Sequence, residues 1–414
     1  MTNVLEICAK VKLGSAKIMS ATSEQKNAVL LKIKEKIQNN AQNILEHNAL
    51  DLEAGRLSGI NSAFLDRLAL NTSRIESMCK GIDDVIALPD YVGMVAESYT
   101  LKNGLTVNKV HSPLGVIGII YEARPNVTVD AAILCIKSGN GVILKGGKEA
   151  INSNRYLVKL MKEAFEDCGF DGEVIGFIDG TDRELTKEML SMDQYIDVVI
   201  PRGGETLKKF VLSAATMPVI ASSGGNCHIF VEKTADFGMA QNIIENAKLS
   251  RPSVCNAAET LLVERAIAKV FLPDCLAKLA QKGVLIKGDK EITQYYPNTV
   301  VIDEEEFYTE YNDLIMKVRI VDCIEQAIEH INKYNTKHSE AIITSDENAS
   351  KMFTSQVDAC AIYVNASTRF TDGFELGLGA EMGISTQKLH VRGPIGLKEL
   401  TSVKYVVKGT GQIR

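Results

Sequence analysis

The chain has 414 residues, 45% hydrophobic and 24% charged, with a formal net charge of −6; that is a globular composition at a length that favours two or three domains. No stretch is strongly basic and there is no Trp, so a nucleic-acid role lacks both an electrostatic footprint and a stacking surface. The nine Cys contain no Cys-x-x-Cys pair, which predicts no metal site and reduced, intracellular thiols. Glu6 and Lys10 stand where a signal peptide is apolar, and runs such as Leu114–Ile120 fall far short of the ~20 residues of a membrane span, so a cytoplasmic protein is expected.

Roughly the first 80 residues read as helix. Thr22 and Gln25 fit a capping box, and Val29, Ile33 and Ile37 recur at four-residue spacing to make one apolar face. Pro89 closes this region. From Glu97 to Val110, two alternating runs flank Asn103-Gly104, a strong hairpin signal because both residues tolerate positive φ. Strands are then expected at Val116–Ile120, Val142–Lys145, Glu173–Ile178 and Asp197–Ile200, with helices at Val127–Lys137, Ala150–Asp167 and Glu184–Met192 between them. Repeated β–α units predict a parallel, doubly wound sheet that takes ligands at the carboxyl ends of its strands.

A second α/β set begins near Ile229. It runs through helix Phe237–Leu249, strand Thr260–Val263, helix Ala266–Lys282, strand Lys317–Val321, helix Ile324–Lys333 and strands Ala341–Thr344 and Ala361–Val364. The end of the chain is glycine-dense, and Ser402–Lys408 alternates as a strand that would join the hairpin in a small oligomerisation sheet.

No G-x-G-x-x-G is present, so the ordinary dinucleotide fingerprint is missing. The nearest substitute is strand Val198–Ile200, the turn Pro201-Arg202-Gly203-Gly204 and a helix from Glu205, whose exposed N–H groups could face a pyrophosphate beside Arg202. An ordinary βα turn reads the same way. Lys145 ends a strand before Gly146-Gly147-Lys148, a position suited to a nucleotide ribose or its 2′-phosphate, although in isolation the stretch favours a surface lysine. Cys135, Cys168, Cys275 and Cys323 sit in apolar periodic settings, where a thiol acts as a small hydrophobe. Cys255 instead follows the loop Arg251-Pro252-Ser253-Val254, where Arg251 could lower its pKa. His228 reads as structural or substrate-contacting rather than as a base.

Together these segments resemble the aldehyde dehydrogenase superfamily and, within it, the γ-glutamyl phosphate reductase family. The likeness is carried by VHSPLGVIGIIYEARPNVT at 110–128, SGNGVILKGGKEA at 138–150, VIPRGG at 199–204 and RPSVCNAAETLLV at 251–263. It continues in EHINKYNTKHSEAIIT at 329–344, GLGAEMGISTQKLHVRGP at 377–394 and KGTGQIR at 408–414. The resemblance implies an aldehyde-dehydrogenase-like α/β fold: two doubly wound parallel-sheet domains plus a small β oligomerisation arm. Residues 1–96 and 115–230, with part of 365–388, would bind the dinucleotide; 231–364 would carry the catalytic cysteine; 97–114 and 389–414 would form the arm.

It also implies NADPH-dependent reduction of L-glutamyl 5-phosphate to the 5-semialdehyde, a step toward proline. Cys255 would be the nucleophile and Asn126 an oxyanion donor. Lys145, Lys148, Arg202, Gly203, Gly204 and Glu310 would hold the dinucleotide, and Arg124 and Arg392 are candidates for the substrate's anionic groups. Partners would be a second copy of the chain and, as a further expectation, glutamate 5-kinase. Hydrolytic aldehyde dehydrogenases carry a Glu in E-L-G-G-K; here the stretch is Ser222-Ser223-Gly224-Gly225-Asn226, so the general base that would drive water onto the thioester is absent. Two other readings stay open. A hydrolytic, NAD-dependent aldehyde dehydrogenase is disfavoured by the missing Glu. A catalytically silent dinucleotide-binding assembly subunit is disfavoured by the intact Cys255 loop.

Overall fold

The N-terminal helices are set by their caps and apolar faces. Helix α1 spans Val4–Ile18, α2 Ser23–Asn39, α3 Ala41–Leu57, α4 Ser62–Leu68 and α5 Thr72–Ala87. The Thr22–Gln25 capping box at the start of α2 is closed in both directions, at 3.3 and 2.9 Å. Val29, Leu30, Ile33 and Ile37 are wholly buried. At ~1.5–3 kcal/mol per buried aliphatic side chain, this face outweighs the cap, worth ~1 kcal/mol. Helix α5 stops where Leu88 turns extended ahead of Pro89, because proline disfavours helical backbone in the residue before it.

The computed structural model describes residues 3–222 and 224–414. After α5 the chain forms β1 (Val95–Thr100), β2 (Thr106–Pro113), β3 (Val116–Tyr121), α6 (Pro125–Lys137), β4 (Gly141–Gly146), α7 (Ile151–Asp167), β5 (Ile175–Phe177), α8 (Arg183–Leu190), β6 (Val198–Arg202) and α9 (Glu205–Ala214). It continues through β7 (Cys227–Val231), α10 (Phe237–Leu249), β8 (Ala258–Glu264), α11 (Arg265–Gln281), β9 (Leu285–Gly288), β10 (Val300–Val301), β11 (Ile315–Val321), α12 (Ile324–Tyr334), β12 (Ser339–Ile343), α13 (Glu347–Gln356) and β13 (Ala361–Val364). The short strands β14 (Ile384–Ser385) and β15 (Gly393–Pro394) precede β16 (Thr401–Lys408).

The chain divides into two compact units: Met1–Ala221 with Leu378–Gly383 and Ile395–Arg414, and Ser222–Gly377 with Ile384–Pro394. In the first, a four-stranded parallel sheet has the order β5-β4-β3-β6, so the direction of winding reverses between β3 and β6. The same unit holds the antiparallel sheet β1-β2-β16. The second unit contains a parallel sheet of order β10-β9-β11-β8-β7-β12-β13, with reversal between β7 and β12. Its core packs α10 and α11 on one face through Ile244, Leu261, Phe271 and Leu276, and α12 and α13 through Phe230, Leu262, Ile331 and Phe353.

Several expectations shift. The 230/231 domain boundary falls at 221/222, because Cys227–Val231 hydrogen-bonds to β8 and β12 of the second sheet. Residues 365–377 and 389–394 also group with the second unit. The hairpin is not a two-residue turn. Gly104 N donates to Leu101 O and Leu101 N to Leu105 O, and only Gly104 takes positive φ, +86°. The expected strand from Glu173 opens as a 3-10 turn, Gly172–Val174, because the Asp171 carboxylate caps it through Glu173 N. Strands β9 and β10 and helix α13 carry too few periodic residues to stand out in the sequence. Among the described residues no helix is long and apolar enough to cross a membrane.

Candidate functional site

In the first unit the carboxyl ends of β3 and β6 gather one set of candidates. Strand β3 is entirely buried, so its exit is sharply placed. There Ala123 takes φ +27°, a costly conformation for a residue with a Cβ, and Arg124 N donates to Glu122 O at 2.6 Å. Pro125 opens α6, where its missing N–H costs nothing. Asn126 is half-buried on the first turn and donates Nδ2 to Asp130 Oδ2 at 2.8 Å. Burial pushes the Asp130 carboxyl up to about 6, with the Asn126 hydrogen bond and the Arg202 charge opposing the shift.

Across from β3, the turn Arg202-Gly203-Gly204 leads into α9. Gly204 N–H at its start donates to the Glu122 carboxylate at 3.0 Å. A Cβ on Gly203 would lie 2.6 Å from the Glu122 carboxyl carbon, so a larger residue there would displace the Glu122 side chain. Glu122 therefore occupies the anion seat that the sequence reading left open. Lys145 is buried, not a surface residue. Its Nζ donates to Gly180 O at 2.7 Å and Gly146 O at 3.3 Å, and burial lowers its pKa. Lys148 and Arg124 are exposed and Arg202 is half-buried.

In the second unit, α10 ends before the loop that carries Cys255. A turn closed by Ala257 N to Val254 O at 3.0 Å sets the loop's shape. Cys227 Sγ donates to Cys255 O at 3.2 Å, and burial raises the Cys227 pKa well above the ordinary thiol value, keeping it a donor. Asn256 Nδ2 donates to Arg369 O and Thr371 O at 3.2 and 3.0 Å, and Thr368 Oγ1 donates to Asn256 O at 2.7 Å. The backbone around Cys255 is thus held on both sides while its own side chain is half-buried. Arg251 is exposed.

Gly225 fits flush against the same loop: a Cβ there would overlap the Cys255 carbonyl. Gly225 N–H donates to Glu310 Oε1 at 2.7 Å, so Glu310 and the Cys255 loop both meet this one glycine. Ser222 pairs with Ser385 through an isolated antiparallel bridge. Arg392 Nη2 lies 2.5 Å from Asp358 Oδ1, and Lys337 and Lys388 reach Asp358 at 3.2 and 3.1 Å. Desolvation raises the Asp358 carboxyl, but the three cations win and hold it well below the usual range. His228 is a buried residue of a central strand, with Nδ1 3.0 Å from Glu340 Oε2, and so serves the core. Among the described residues no group of His, Cys, Asp and Glu is arranged to hold a metal.

Within the first unit Arg202, Gly203 and Gly204 come together around Glu122, and within the second Cys255 and Glu310 come together around Gly225. The sequence reading missed Glu122 and Cys227. The only available signal was that Glu122 lies in the YEARPN stretch and Cys227 follows S-S-G-G-N.

A sequence model of the aldehyde dehydrogenase family matches residues 2–297. A γ-glutamyl phosphate reductase from Caldicellulosiruptor saccharolyticus is 53% identical over 418 positions, covering 100% of both chains. One from Carboxydothermus hydrogenoformans is 52% identical, again over 100% of both. The crystal structure of a γ-glutamyl phosphate reductase from Thermotoga maritima matches with a TM-score of 0.98 at 46% identity, covering 99% of each chain. An acetylating aldehyde dehydrogenase from Geobacillus thermoglucosidasius shares the fold at a TM-score of 0.68 and 16% identity, over 99% of this chain and 97% of that one.

Proposed function

The chain belongs to the aldehyde dehydrogenase family and, within it, to the γ-glutamyl phosphate reductases, and from that premise we propose that it reduces L-glutamyl 5-phosphate to L-glutamate 5-semialdehyde through a thioester on Cys255, a step of proline biosynthesis in the cytoplasm. The observation that carries this reading is the Cys255 loop, fixed by Cys227, Asn256 and Gly225 while its thiol stays half-buried.

A nicotinamide dinucleotide suits the residues at the ends of β3, β4 and β6. They lie at the strand ends where the winding reverses, and a phosphate there would take the Gly204 N–H that Glu122 accepts in this structure. Gly203, Gly204 and Arg202 would meet its phosphates, Lys145 its adenosine ribose, and the exposed Lys148 a 2′-phosphate, which favours NADPH. Glu310 would hold the nicotinamide ribose. When bound, the dinucleotide supplies the hydride.

The Cys255 thiolate forms a bond to the acyl carbon, and phosphate leaves with the electron pair of the C–O bond. Dividing one hard step into two easier ones is the gain of covalent catalysis. Asn126 Nδ2 and the Cys255 N–H would stabilise the oxyanion, each such donor being worth ~3 kcal/mol. After reduction the C–S bond breaks, the aldehyde leaves and the thiolate returns. Phosphate is a good leaving group, so the chain needs no strong general acid there. Ser222 in place of a Glu leaves no base to activate water, and the thioester survives until it is reduced. Arg124 and Arg392 would meet the substrate's phosphate and carboxylate, Arg392 exchanging Asp358 for the ligand.

A Ser222→Glu protein tests the hydrolysis argument: acid formation from the semialdehyde should rise, and an unchanged product ratio would overturn it. The sheet β1-β2-β16, with Tyr99, Val403, Tyr405 and Val407 exposed, would serve a homo-oligomer. A complex with glutamate 5-kinase would shelter the labile acyl phosphate.

A further inference from the structure

Five neighbouring strands of the second sheet place Lys287, Lys317, Thr260, His228 and Glu340 in register. Partners in parallel register point to the same face, so a polar row crosses the sheet. Lys317 is its fully buried cation. Its Nζ donates to Asn226 Oδ1 at 2.8 Å, to Phe307 O at 3.1 Å and to Thr309 O. All three acceptors are neutral. Desolvation lowers the lysine pKa to about 8, with Glu259 the main charge opposing it.

Taking an ammonium out of water costs several kcal/mol, and an apolar side chain of like volume often serves stability as well. The lysine does something an apolar residue cannot: it ties two segments together. One is Gly224-Gly225-Asn226, which leads into β7; the other is the stretch from Phe307 to Thr309. Asn226 doubles the tie by donating Nδ2 to Phe307 O and to Tyr334 O, each at 2.8 Å. The next residue after Thr309 is Glu310, whose carboxylate receives the Gly225 N–H.

We propose that Lys317 is a positioning residue that fixes the seat of Glu310 against Gly225 and thereby sets the affinity for the nicotinamide half of the dinucleotide. This rests on Glu310 being the ribose partner. The test measures NADPH dissociation constants by cofactor fluorescence, and 2′,5′-ADP dissociation constants by calorimetry. It compares the full-length protein with Lys317→Met, Glu310→Gln and the double variant. Each single change should weaken NADPH about tenfold, the double no more than either, because both remove one shared arrangement. Binding of 2′,5′-ADP, which lacks the nicotinamide half, should stay within twofold.

If Glu310→Gln weakens NADPH but Lys317→Met does not, this proposal alone falls. It also falls if the two losses multiply, or if 2′,5′-ADP weakens equally. If Glu310→Gln leaves NADPH binding unchanged, the ribose assignment fails and takes the proposal with it. Should Lys317→Met not give folded protein by circular dichroism, Asn226→Ala, which removes the other half of the same tie, is read in its place against the same outcomes.

Discussion

The four-stranded sheet of the first unit keeps its interior apolar and its polar groups at strand ends, whereas the seven-stranded sheet of the second carries ionisable groups through its middle. In β3, β4 and β6 the polar side chains Tyr121, Lys145 and Arg202 all lie at or next to the last residue. Tyr121 and Lys145 find short-range neutral partners there, Thr128 at 2.7 Å and Gly180 O. Against the second sheet, buried Lys248 of α10 meets buried Glu259 of β8 at 3.2 Å, and Lys317 of β11 and His228 of β7 are themselves fully buried. The difference teaches a division of labour. Polar groups at strand ends leave a ligand room to approach, while polar groups inside a sheet tie loops to it and fix what those loops carry.

The largest effect should come from the residue the second sheet supports. Cys255→Ser should lower reductive turnover by on the order of 10⁴-fold or more, with little change in melting temperature; steady-state NADPH oxidation and calorimetry check both. Breaking the interior pair should come next. Lys248→Met leaves Glu259 with backbone N–H donors but without its ion-pair partner and should cost ~3 kcal/mol, whereas Lys145→Met, removing hydrogen bonds to carbonyls at a strand end, should cost only ~1 kcal/mol. Burial already raises the Glu259 carboxyl, so a Glu259 without its lysine is tolerated protonated. The Lys248→Met loss should therefore be smaller at low pH and grow as pH rises, and denaturant midpoints across pH would show it.

The glycines sharpen the same contrast. Gly225→Ala, facing the Cys255 carbonyl, should destabilise by ~3 kcal/mol. Gly204→Ala, whose Cβ would meet only the Glu122 carboxylate at 4.0 Å, should cost under ~1 kcal/mol. An effect spread over pH lies in the first unit. The Asp130 carboxyl is raised to about 6 in the fold, so the fold favours its protonated form. Stability should then fall as pH rises from about 4 to about 6, by up to ~3 kcal/mol, and level off above. Asp130→Asn should flatten that segment of the melting-temperature profile.

Much of this architecture is legible in the chain itself, for local reasons. The Thr22–Gln25 box, the α10 limits and the strand–glycine–helix run at 198–205 depend on neighbours within a few residues. Cys255 stood apart because its setting breaks the apolar periodicity of most other cysteines. What was not legible depends on partners far along the chain. Glu122 reaches Gly204 across 82 residues, Cys227 reaches Cys255 across 28 and Lys317 reaches Asn226 across 91. Nothing local marks Lys317 as buried; its neighbours Met316 and Val318 suit either face of a strand. The hairpin at Asn103-Gly104 was legible, though the length of its loop was not. Asn103-Gly104 permits a two-residue turn, but the chain spends its one positive φ at Gly104 and closes a longer loop.

The central claim is that an acyl group passes through Cys255 and is released to phosphate rather than to water. Its most direct test runs the reaction backwards, following NADP reduction by glutamate semialdehyde with and without inorganic phosphate. Reduction should depend on phosphate and stop when phosphate is withheld. Equal rates in both conditions, with glutamate as the product, would contradict it.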